Sequence, residues 1–170
     1  MALKSILLLL AITVIGISCE EEEKPPYELP QNAKQLLAGD SSKTWKLARR
    51  FNNKTRMNMG DCFLTHRDTY LADGTMHNNS GDQRDCGETL NATWRFTKDK
   101  KGNSYIRWTS DQLPQLLNID KNYKAFKILK MTEEEMVLQF SHKQFSDKTT
   151  IITDIWVPEN ASVKDREFHW

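Results

Sequence analysis

Hydrophobic and polar residues alternate along most of the chain after residue 40, which is the pattern of β-strands that are buried on one face. The clearest case is the segment 89–97, in which the apolar residues are Leu90, Ala92, Trp94 and Phe96 and the residues between them are polar. Short strands separated by turn residues are typical of an all-β sandwich or barrel, and about eight are predicted here. Further segments with this pattern lie at 45–51, 104–108, 123–131, 136–140 and 149–157.

The segment Asp61–Phe96 is predicted to form a strand, a hairpin, a second strand, a polar loop and a third strand. In this prediction the first strand runs from Cys62 to Ala72, and the pair Asp73-Gly74 follows it. An Asp-Gly pair between β-like segments is a strong hairpin signal, because the tight turn needs positive φ angles that both residues tolerate. The hairpin therefore supports the all-β prediction.

Two short helices are predicted among the strands. Residues 33–38 have a helical composition, with Asn32 as the N-cap and Gly39 as the stop. The second helix follows its predicted cap, Asp111, and contains Pro114, which a helix tolerates only near its first turn. The fold class is therefore all-β with one or two short helices.

The first 18 residues contain one cation, Lys4, and the continuous apolar segment Ile6–Ile17. This segment is shorter than the roughly 20 apolar residues of a membrane-spanning helix, so it is predicted to be part of a signal peptide. The junction that follows resembles a bacterial lipoprotein signal, in which small residues precede a cysteine that receives the lipid, here Cys19. The resemblance implies that acyl chains such as palmitate attach the mature protein to a membrane.

Four glutamates, Glu20–Glu23, follow Cys19 and resemble the export tag of surface-exposed lipoproteins in Bacteroidetes-type bacteria. The predicted location is therefore the outer membrane, with the protein exposed at the cell surface. A periplasm-facing location is the alternative, in which the glutamates form only a solvated spacer. Prolines at 25, 26 and 30 favour an extended tether.

These features divide the chain into a signal peptide at 1–18, a tether at 19–31, one domain at 32–158 and a polar, loose tail at 159–170. The domain is long enough to bury a single core. Loss of the signal peptide lowers the number of basic residues from 24 to 23, which equals the 23 acidic residues. A neutral protein lacks the positive charge that nucleic-acid binding requires, so no nucleic-acid partner is predicted.

Several short motifs occur in a particular order along the mature chain. They are Leu36-Leu37-Ala38-Gly39, Lys43-Thr44-Trp45-Lys46-Leu47, Asp61-Cys62, Tyr70, Asp73-Gly74-Thr75, Cys86, Trp94 and Trp156-Val157-Pro158. Their order and spacing resemble the lipocalin-like domain proteins of Bacteroidetes. The resemblance covers most of the mature chain and implies a lipoprotein with a single antiparallel up-and-down barrel of about eight strands, in a group mostly without an assigned activity.

The chain has three cysteines, and the assignment of Cys19 to a lipid leaves Cys62 and Cys86 as the possible pair. An exported protein reaches a compartment in which disulfides persist, so a Cys62–Cys86 disulfide is predicted. It would close a loop of about 25 residues and stabilise the fold by roughly 3 to 4 kcal/mol. The competing interpretation is a redox or metal site, but the CxxC spacing is absent.

Aromatic and aliphatic residues are the candidates for a ligand pocket. An eight-stranded barrel either fills its interior with side chains or encloses one small ligand. Trp45 and Leu47 on the first strand, and Trp94 and Phe96 on a later strand, are predicted to face this interior. They therefore either pack the core or line a pocket.

Arg49 is a further candidate for the pocket. It has the same parity as Trp45, Leu47 and Phe51, so it would point inward in a regular strand. A buried guanidinium needs an anionic partner, which would be an aspartate of the barrel or the carboxylate of a ligand. A bulge near Asn52 would instead turn Arg49 towards water.

The sequence contains no strong signal for a metal site or for catalysis. His66 and His77 would lie on neighbouring strands with a geometry that could hold zinc, and ordinary surface histidines are the alternative. The aspartates of this region lack the spacing of a calcium loop. No nucleophile elbow, phosphate loop or dinucleotide fingerprint is present. No cofactor and no enzymatic activity are therefore predicted.

The predicted function is binding of a small apolar or amphipathic ligand by a lipid-anchored barrel at the cell envelope. It requires an internal cavity lined by aromatic side chains. The alternative is a structural or interaction module of the outer membrane surface, with a solid core, an exposed apolar patch and an envelope protein as partner. The presence or absence of a cavity distinguishes the two.

Overall fold

The computed structural model describes residues 25–143 and 148–169 of the chain. The predicted signal peptide, the predicted lipid attachment at Cys19 and the glutamates after it lie outside the described residues. The described residues comprise the predicted domain, the last residues of the tether and most of the C-terminal tail. Among them, no helix has both the length and the hydropathy needed to cross a membrane.

Strands make up most of the described chain, and its helices are short. The strands are β1 (Ser42–Asn52), β2 (Thr55–Arg56), β3 (Arg67–Leu71), β4 (Thr75–Asn78), β5 (Asn91–Lys98), β6 (Ser104–Thr109), β7 (Tyr123–Met131), β8 (Met136–Lys143) and β9 (Thr149–Pro158). The α-helices are α1 (Ala33–Ala38), α2 (Asp61–Thr65) and α3 (Leu113–Leu117), and Ser80–Asp82 form one turn of 3-10 helix.

All strand pairs are antiparallel, and the strands follow one another around a single sheet. β1 also pairs with β9 over Trp45–Asn52 and Ile152–Pro158, which closes the sheet into a barrel. β2 pairs only with the end of β1, so the closed barrel consists of β1 and β3 to β9. The predicted all-β, antiparallel, up-and-down barrel of about eight strands is confirmed.

Side chains alternate across the barrel wall as predicted. On β5, Ala92 and Trp94 are buried, whereas Asn91, Thr93 and Arg95 are exposed. The interior is filled mainly by large apolar side chains, whose burial is the main stabilising term of the fold. Fully buried examples from other elements include Tyr70, Ile106, Leu113, Ile128, Met131, Met136 and Leu138.

The hairpin predicted at Asp73-Gly74 joins β3 to β4. Gly74 has a φ angle of +92°, which glycine adopts at little cost. Asp73 Oδ1 accepts hydrogen bonds from the hydroxyl of Thr75 at 2.6 Å and from its backbone amide at 2.8 Å. These two bonds lower the pKa of the Asp73 carboxyl and hold the turn.

Helix α1 covers one end of the barrel. The Leu37 carbonyl accepts a hydrogen bond from Trp45 Nε1 at 2.8 Å, and both side chains are fully buried. The predicted stop at Gly39 is confirmed, with a φ angle of +63°. The predicted cap is wrong, because the Asn32 side chain makes no capping hydrogen bond. The Pro30 carbonyl instead accepts a bond from the first amide of the helix.

The strand predicted to begin at Cys62 begins later in the structure. Asp61–Thr65 form α2, in which the Phe63 amide donates to the Gly60 carbonyl at 2.9 Å, and β3 begins at Arg67. Five residues make little more than one helical turn. Over so short a segment, the spacing of apolar residues does not distinguish a helix from a strand.

The predicted disulfide between Cys62 and Cys86 is confirmed. The Cα atoms lie 5.3 Å apart. Cys62 belongs to α2, whereas Cys86 belongs to the loop between β4 and β5. The bond therefore joins two connections that lie at the same end of the barrel.

A β-bulge in β1 changes which side chains of this strand face inward. Leu47 pairs with Trp156, but the next pair along the ladder joins Arg49 to Ile155. Ala48 is thus the extra residue. One extra residue shifts the period-two alternation by one position, so every later side chain of β1 changes face.

Because of the bulge, the predicted placement of Phe51 on the same face as Trp45 and Leu47 is wrong, and of the two orientations considered for Arg49 the outward one is observed. Arg50 pairs with Asp154 in the sheet, and the two side chains bond inside the barrel. Arg49 therefore shares the outer face with Ile155, and Phe51 is also turned outward. The extra residue, Ala48, lies four residues before Asn52, near which a bulge was the alternative to a regular strand.

The start of α3 also differs from the prediction. Gln112 occupies the N-cap position, and Asp111 makes no capping bond. The Ser110 hydroxyl accepts a hydrogen bond from the Gln112 amide at 3.2 Å. Pro114 lies in the first turn, as predicted.

The C-terminal tail, which was predicted to be loose, packs against the barrel. The Arg166 guanidinium donates to the carbonyls of Leu47 and Leu64 at 2.7 Å each and of Phe63 at 3.3 Å. The Met59 amide donates to the carbonyl of Glu167 at 3.1 Å. A guanidinium carries five N–H donors, so the single side chain of Arg166 can make several bonds at once. These bonds hold the polar C-terminal segment against the barrel.

Candidate ligand-binding cavity

The two ends of the barrel differ. The α1 end is covered by α1 and by the residues before it: the Tyr27 hydroxyl donates to the Met131 carbonyl at 2.9 Å, and the Tyr27 carbonyl accepts from Ser104 Oγ at 3.0 Å. The opposite end, called the loop end here, carries α2, the loop between β4 and β5, and α3. The disulfide ties the first two of these segments together.

A cavity of about 300 Å³ lies at the loop end and extends into the barrel. Ligand pockets in proteins begin at about this size and are mostly apolar with a few polar groups. Five aromatic residues line it, namely Phe63, Trp108, Phe126, Phe140 and Trp156. Its ionisable lining residues are Arg50, His66, Asp68, Glu88, Lys124 and Asp154.

Arg50 and Asp154 form a bidentate ion pair in the cavity wall. Arg50 Nε lies 2.7 Å from Asp154 Oδ1, and Nη2 lies 2.6 Å from Oδ2. Asp154 is only 2% exposed. The guanidinium also lies over the Phe63 ring, with Cζ 4.5 Å from the ring centroid. One arginine thus occupies both oxygens of the carboxylate, and the pair is electrically neutral.

Lys124 lies on the inner face of β7 and lines the same cavity. It has the parity of Phe126, which is buried, and it is partly buried itself. Its Nζ lies 4.3 Å from the ring centroid of Phe140 and 5.4 Å from that of Phe126. Within residues 25–143 and 148–169, no hydrogen bond or ion pair joins Nζ to an acceptor. The ammonium is therefore surrounded mainly by aromatic rings.

The charges around Lys124 are mainly positive. Burial lowers the pKa of Lys124 to about 8, with a further contribution from Arg50 and an opposing one from Asp154. His142, near the end of β8, has a pKa lowered by burial and by the charges of Lys124 and Arg50. Because Asp154 is already bonded to Arg50, this part of the wall has a positive potential.

A second polar part of the wall contains His66, Asp68 and Trp156. His66 Nε2 lies 3.0 Å from Asp68 Oδ1, and the His66 ring lies 5.8 Å from the Trp156 ring between centroids. Apart from that ion contact, Asp68 Oδ1 has no hydrogen-bond partner among the described residues, and neither has the buried Trp156 Nε1. Buried polar atoms are almost always bonded. Because Asp68 Oδ1 has His66 Nε2 beside it, Trp156 Nε1 is the candidate for a bond to a polar group inside the cavity.

The disulfide and α3 form part of the cavity rim. Cys62 and Cys86 both line the cavity, and Leu116 and Leu117 of α3 line it as well. Leu117 is 37% exposed. The disulfide predicted from the sequence thus lies where it fixes the spacing of two loops beside the cavity.

None of the residues predicted to line a ligand pocket lines this cavity. Trp45 and Leu47 are fully buried in the core. Trp94 donates from Nε1 to the Leu71 carbonyl at 3.1 Å, and its ring packs edge-on against Phe96, with the centroids 5.6 Å apart. These contacts match the alternative of core packing. Arg49 lies on the outer face.

Four charged residues of the cavity were not predicted from the sequence, namely Arg50, Asp68, Lys124 and Asp154. For three of them a signal was present: each charged residue occupies the apolar parity of its strand, as Asp154 does two residues before the buried Trp156. A charge at such a position indicates a polar site inside the barrel. Arg50 could not be found in this way, because the bulge changes its parity.

The two histidines considered for zinc are not brought together. His66 lines the cavity, whereas the His77 side chain is exposed. Among the described residues, no group of three or more His, Cys, Asp or Glu side chains could hold a metal ion. That the protein has no cofactor and no enzymatic activity stays a prediction.

No protein-family model matches the chain, and no curated protein matches it. Among solved structures, the chain is similar to a lipocalin-like protein from Bacteroides uniformis, with 11% identity and a TM-score of 0.42 over 70% of this chain and 98% of that one. It is also similar to bovine odorant-binding protein in complex with its natural ligand, with 16% identity and a TM-score of 0.39 over 82% and 81% of the two chains. The barrel assignment itself rests on the pairing of β1 with β9.

Proposed function

We propose that this protein binds a small amphipathic molecule in the cavity at the loop end of the barrel. The observation that supports this function is a cavity of about 300 Å³ whose lining combines five aromatic rings with ionisable groups. An eight-stranded barrel has room either for its own side chains or for one small ligand. The aromatic lining suits the apolar part of such a ligand. Trp156 Nε1, which has no hydrogen-bond partner in the described part of the chain, suits an acceptor on its polar part.

The alternative is an interaction module with a solid core and an exposed apolar patch. The cavity favours ligand binding over this alternative, because a solid core would leave no such space. Among the described residues, the large hydrophobic side chains classed as exposed are Leu117, Leu129 and Ile151, which lie on α3, β7 and β9. Leu117 belongs to the cavity rim, so its exposure is also accounted for by ligand binding.

The test is a fluorescence titration of the full-length chain with N-phenylnaphthylamine, an uncharged aromatic probe. The chain carries Cys19→Ala so that no detergent is needed. We expect saturable binding of one probe per barrel. Ser80 lines the cavity, so Ser80→Trp should fill it and weaken binding about tenfold or more. Ser141 is exposed on the outer face of β8, so Ser141→Trp is the matched control and should bind the probe normally.

Equal binding by the Ser80→Trp and Ser141→Trp variants, or no saturable binding at all, would contradict the proposed function. Native mass spectrometry of the protein purified from its own cell envelope gives an independent readout. A mass increment of one small molecule, lost in Ser80→Trp, is the expected result. An apo mass under several growth conditions counts against a carrier.

We further propose that the protein is a lipoprotein anchored through Cys19 in the outer membrane and exposed at the cell surface. The apolar segment, the small residues before Cys19 and the glutamates after it support this proposal. Tyr27 is bonded at the α1 end, and the six residue-to-residue steps from Cys19 to Pro25 span at most about 21 Å. The loop end, with its cavity, would then face away from the membrane.

A further inference from the structure

We infer that the ligand of the cavity carries an anionic group, such as a carboxylate, sulfonate or phosphate, that binds to Lys124. This inference rests on the proposed function and specifies the chemical class of its ligand: a single negative group on an apolar body. It follows from three properties of the cavity wall: the pairing of its other ionisable residues, the apolar surroundings of the Lys124 ammonium, and the positive potential around that ammonium.

The first property is the pairing of the ionisable lining residues. Arg50 is bonded to both oxygens of Asp154, and Asp68 lies 3.0 Å from His66. Glu88 is exposed, so water can solvate its carboxylate. Within the described residues, Lys124 is then the cavity-lining cation without an ion-pair partner.

The second property is the apolar surrounding of the ammonium. Lys124 Nζ lies over the faces of Phe140 and Phe126. The attraction between a cation and an aromatic ring is weaker than that of an ion pair. Its sheet neighbour on β6 is Trp108, another aromatic lining residue. A charge in such surroundings costs free energy, and a methionine at this position would pack at no such cost. Folding therefore gains nothing from the charge, which is the pattern expected of a residue kept for binding.

The third property is the positive potential around Lys124. The Arg50 charge adds to that of Lys124, and Asp154 is the carboxylate that opposes it. Both Asp154 oxygens accept from Arg50, and among the described residues no hydrogen bond or ion pair joins Asp154 to Lys124. An anionic group that enters the cavity with an apolar body would bond to the ammonium and relieve the repulsion between these cations.

The test compares two probes that differ by one sulfonate. N-phenylnaphthylamine is uncharged, and anilinonaphthalene sulfonate has the same ring system with a negative group. We expect Lys124→Met to weaken binding of the sulfonate probe about tenfold, whereas the uncharged probe should bind within about twofold of its original affinity. Lys127 lies on the outer face of the same strand, so Lys127→Met is the matched control and should change neither affinity.

The charge itself is tested by Lys124→Arg, which should keep affinity for the sulfonate probe, and far-UV circular dichroism checks that each variant folds. Displacement of the bound probe by decanoate and by decyl phosphate identifies the preferred headgroup, with decanol as the uncharged control. Decanoate or decyl phosphate should compete better than decanol, and Lys124→Met should remove the difference.

The outcomes separate the two proposals. If the uncharged probe binds and Ser80→Trp blocks it, but Lys124→Met leaves the affinity for the sulfonate probe unchanged, the anionic ligand is excluded and the proposed function stands. Competition by decanol equal to that by both anions would exclude it as well. If neither probe binds the cavity of the unaltered barrel, the proposed function itself fails.

Discussion

Arg50 joins β1 to β9 through its bidentate bond to Asp154 and stacks over Phe63. In a buried ion pair, each charge compensates for the desolvation of the other, so the loss of one partner costs more than the pair itself contributes. Arg49 precedes it in the chain, lies on the outer face and shares that face with Ile155. The two arginines therefore provide a direct test of the bulge and of the inner wall.

Arg50→Met is expected to lower the free energy of unfolding by about 2 to 4 kcal/mol, because Asp154 would remain buried without its partner. Arg49→Met should change it by less than about 0.5 kcal/mol, as is usual for surface substitutions. Urea denaturation followed by tryptophan fluorescence measures both. A larger effect of Arg49→Met would contradict the bulge, and partial recovery in Arg50→Met with Asp154→Leu would identify the unpaired carboxylate as the cause.

Lys124 is the residue at which binding and stability are expected to conflict. Burial lowers its pKa to about 8 in the folded protein, whereas an unfolded chain keeps the ordinary value of 10.5. Below pH 8 both states carry the proton, and only the folded state bears the cost of burying the charge. As the pH rises from 8 to 10.5, the folded state loses the proton first and this cost disappears.

Lys124→Met should therefore raise the free energy of unfolding at pH 7 by about 1 to 2 kcal/mol, after allowance for the partial exposure of the side chain. The gain over the original protein should decrease as the pH rises from 8 to 10.5. The groups around Lys124 that also titrate or carry charge are Arg50, Asp154 and His142, and these are the same in both proteins. Urea denaturation at a series of pH values measures the difference. A loss of stability at pH 7 would show that the lysine has a structural role.

At the scale of elements, the loop end is built from short segments that are held together by side-chain bonds. Helix α2 is only five residues long, and such a short helix is not stable by itself. The disulfide ties it to the β4–β5 loop, and Arg166 of the C-terminal tail donates to the carbonyls of Leu64 and Phe63. These bonds fix one wall of the cavity, which regular strand pairing does not reach.

Replacement of Cys62 and Cys86 together by serine should lower the free energy of unfolding by about 3 kcal/mol, because the disulfide closes a loop across 24 positions. Peptide mapping without reductant should recover the linked pair from the original protein. The matched control is the original protein measured with dithiothreitol, which should lose the same stability. Free thiols in the map, or an unchanged urea midpoint, would contradict the bond.

At the scale of the whole molecule, the described end of the tether and the cavity lie at opposite ends of the barrel. Tyr27 is bonded to Met131 and Ser104 at the α1 end, whereas the cavity is lined by α2, α3 and the β4–β5 loop. A lipid on Cys19 would hold the α1 end near the membrane. Ligands would then enter from the side that faces away from it.

Cys19→Ala is expected to release the protein from the membrane, because no acyl chain could then attach. Fractionation of cells into soluble and membrane parts, with immunoblotting, measures this release. Ser18→Ala keeps a small residue before the cysteine and is the matched control, which should stay in the membrane. A Cys19→Ala protein that remains in the membrane fraction would contradict the anchor.

Much of the fold could be predicted from the sequence, because its causes are local. The alternation of β5, the positive φ angle at Gly74 and the stop of α1 at Gly39 each depend on a few neighbouring residues, and each is present in the structure. The disulfide was predictable for a different reason: if the chain is exported and Cys19 carries a lipid, as predicted, Cys62 and Cys86 are the one pair left.

The cavity depended on tertiary structure. Whether Arg49 or Arg50 faces inward is decided by how β1 pairs with β9, more than a hundred residues away in the chain. The bulge in that pairing cannot be recognised from the alternation of apolar and polar residues in β1. Likewise, only the packing of elements shows that Lys124 has no ion-pair partner among the described residues and that Arg166 fixes the tail. Period-two patterns are properties of single strands, whereas a binding site depends on which strands and loops meet.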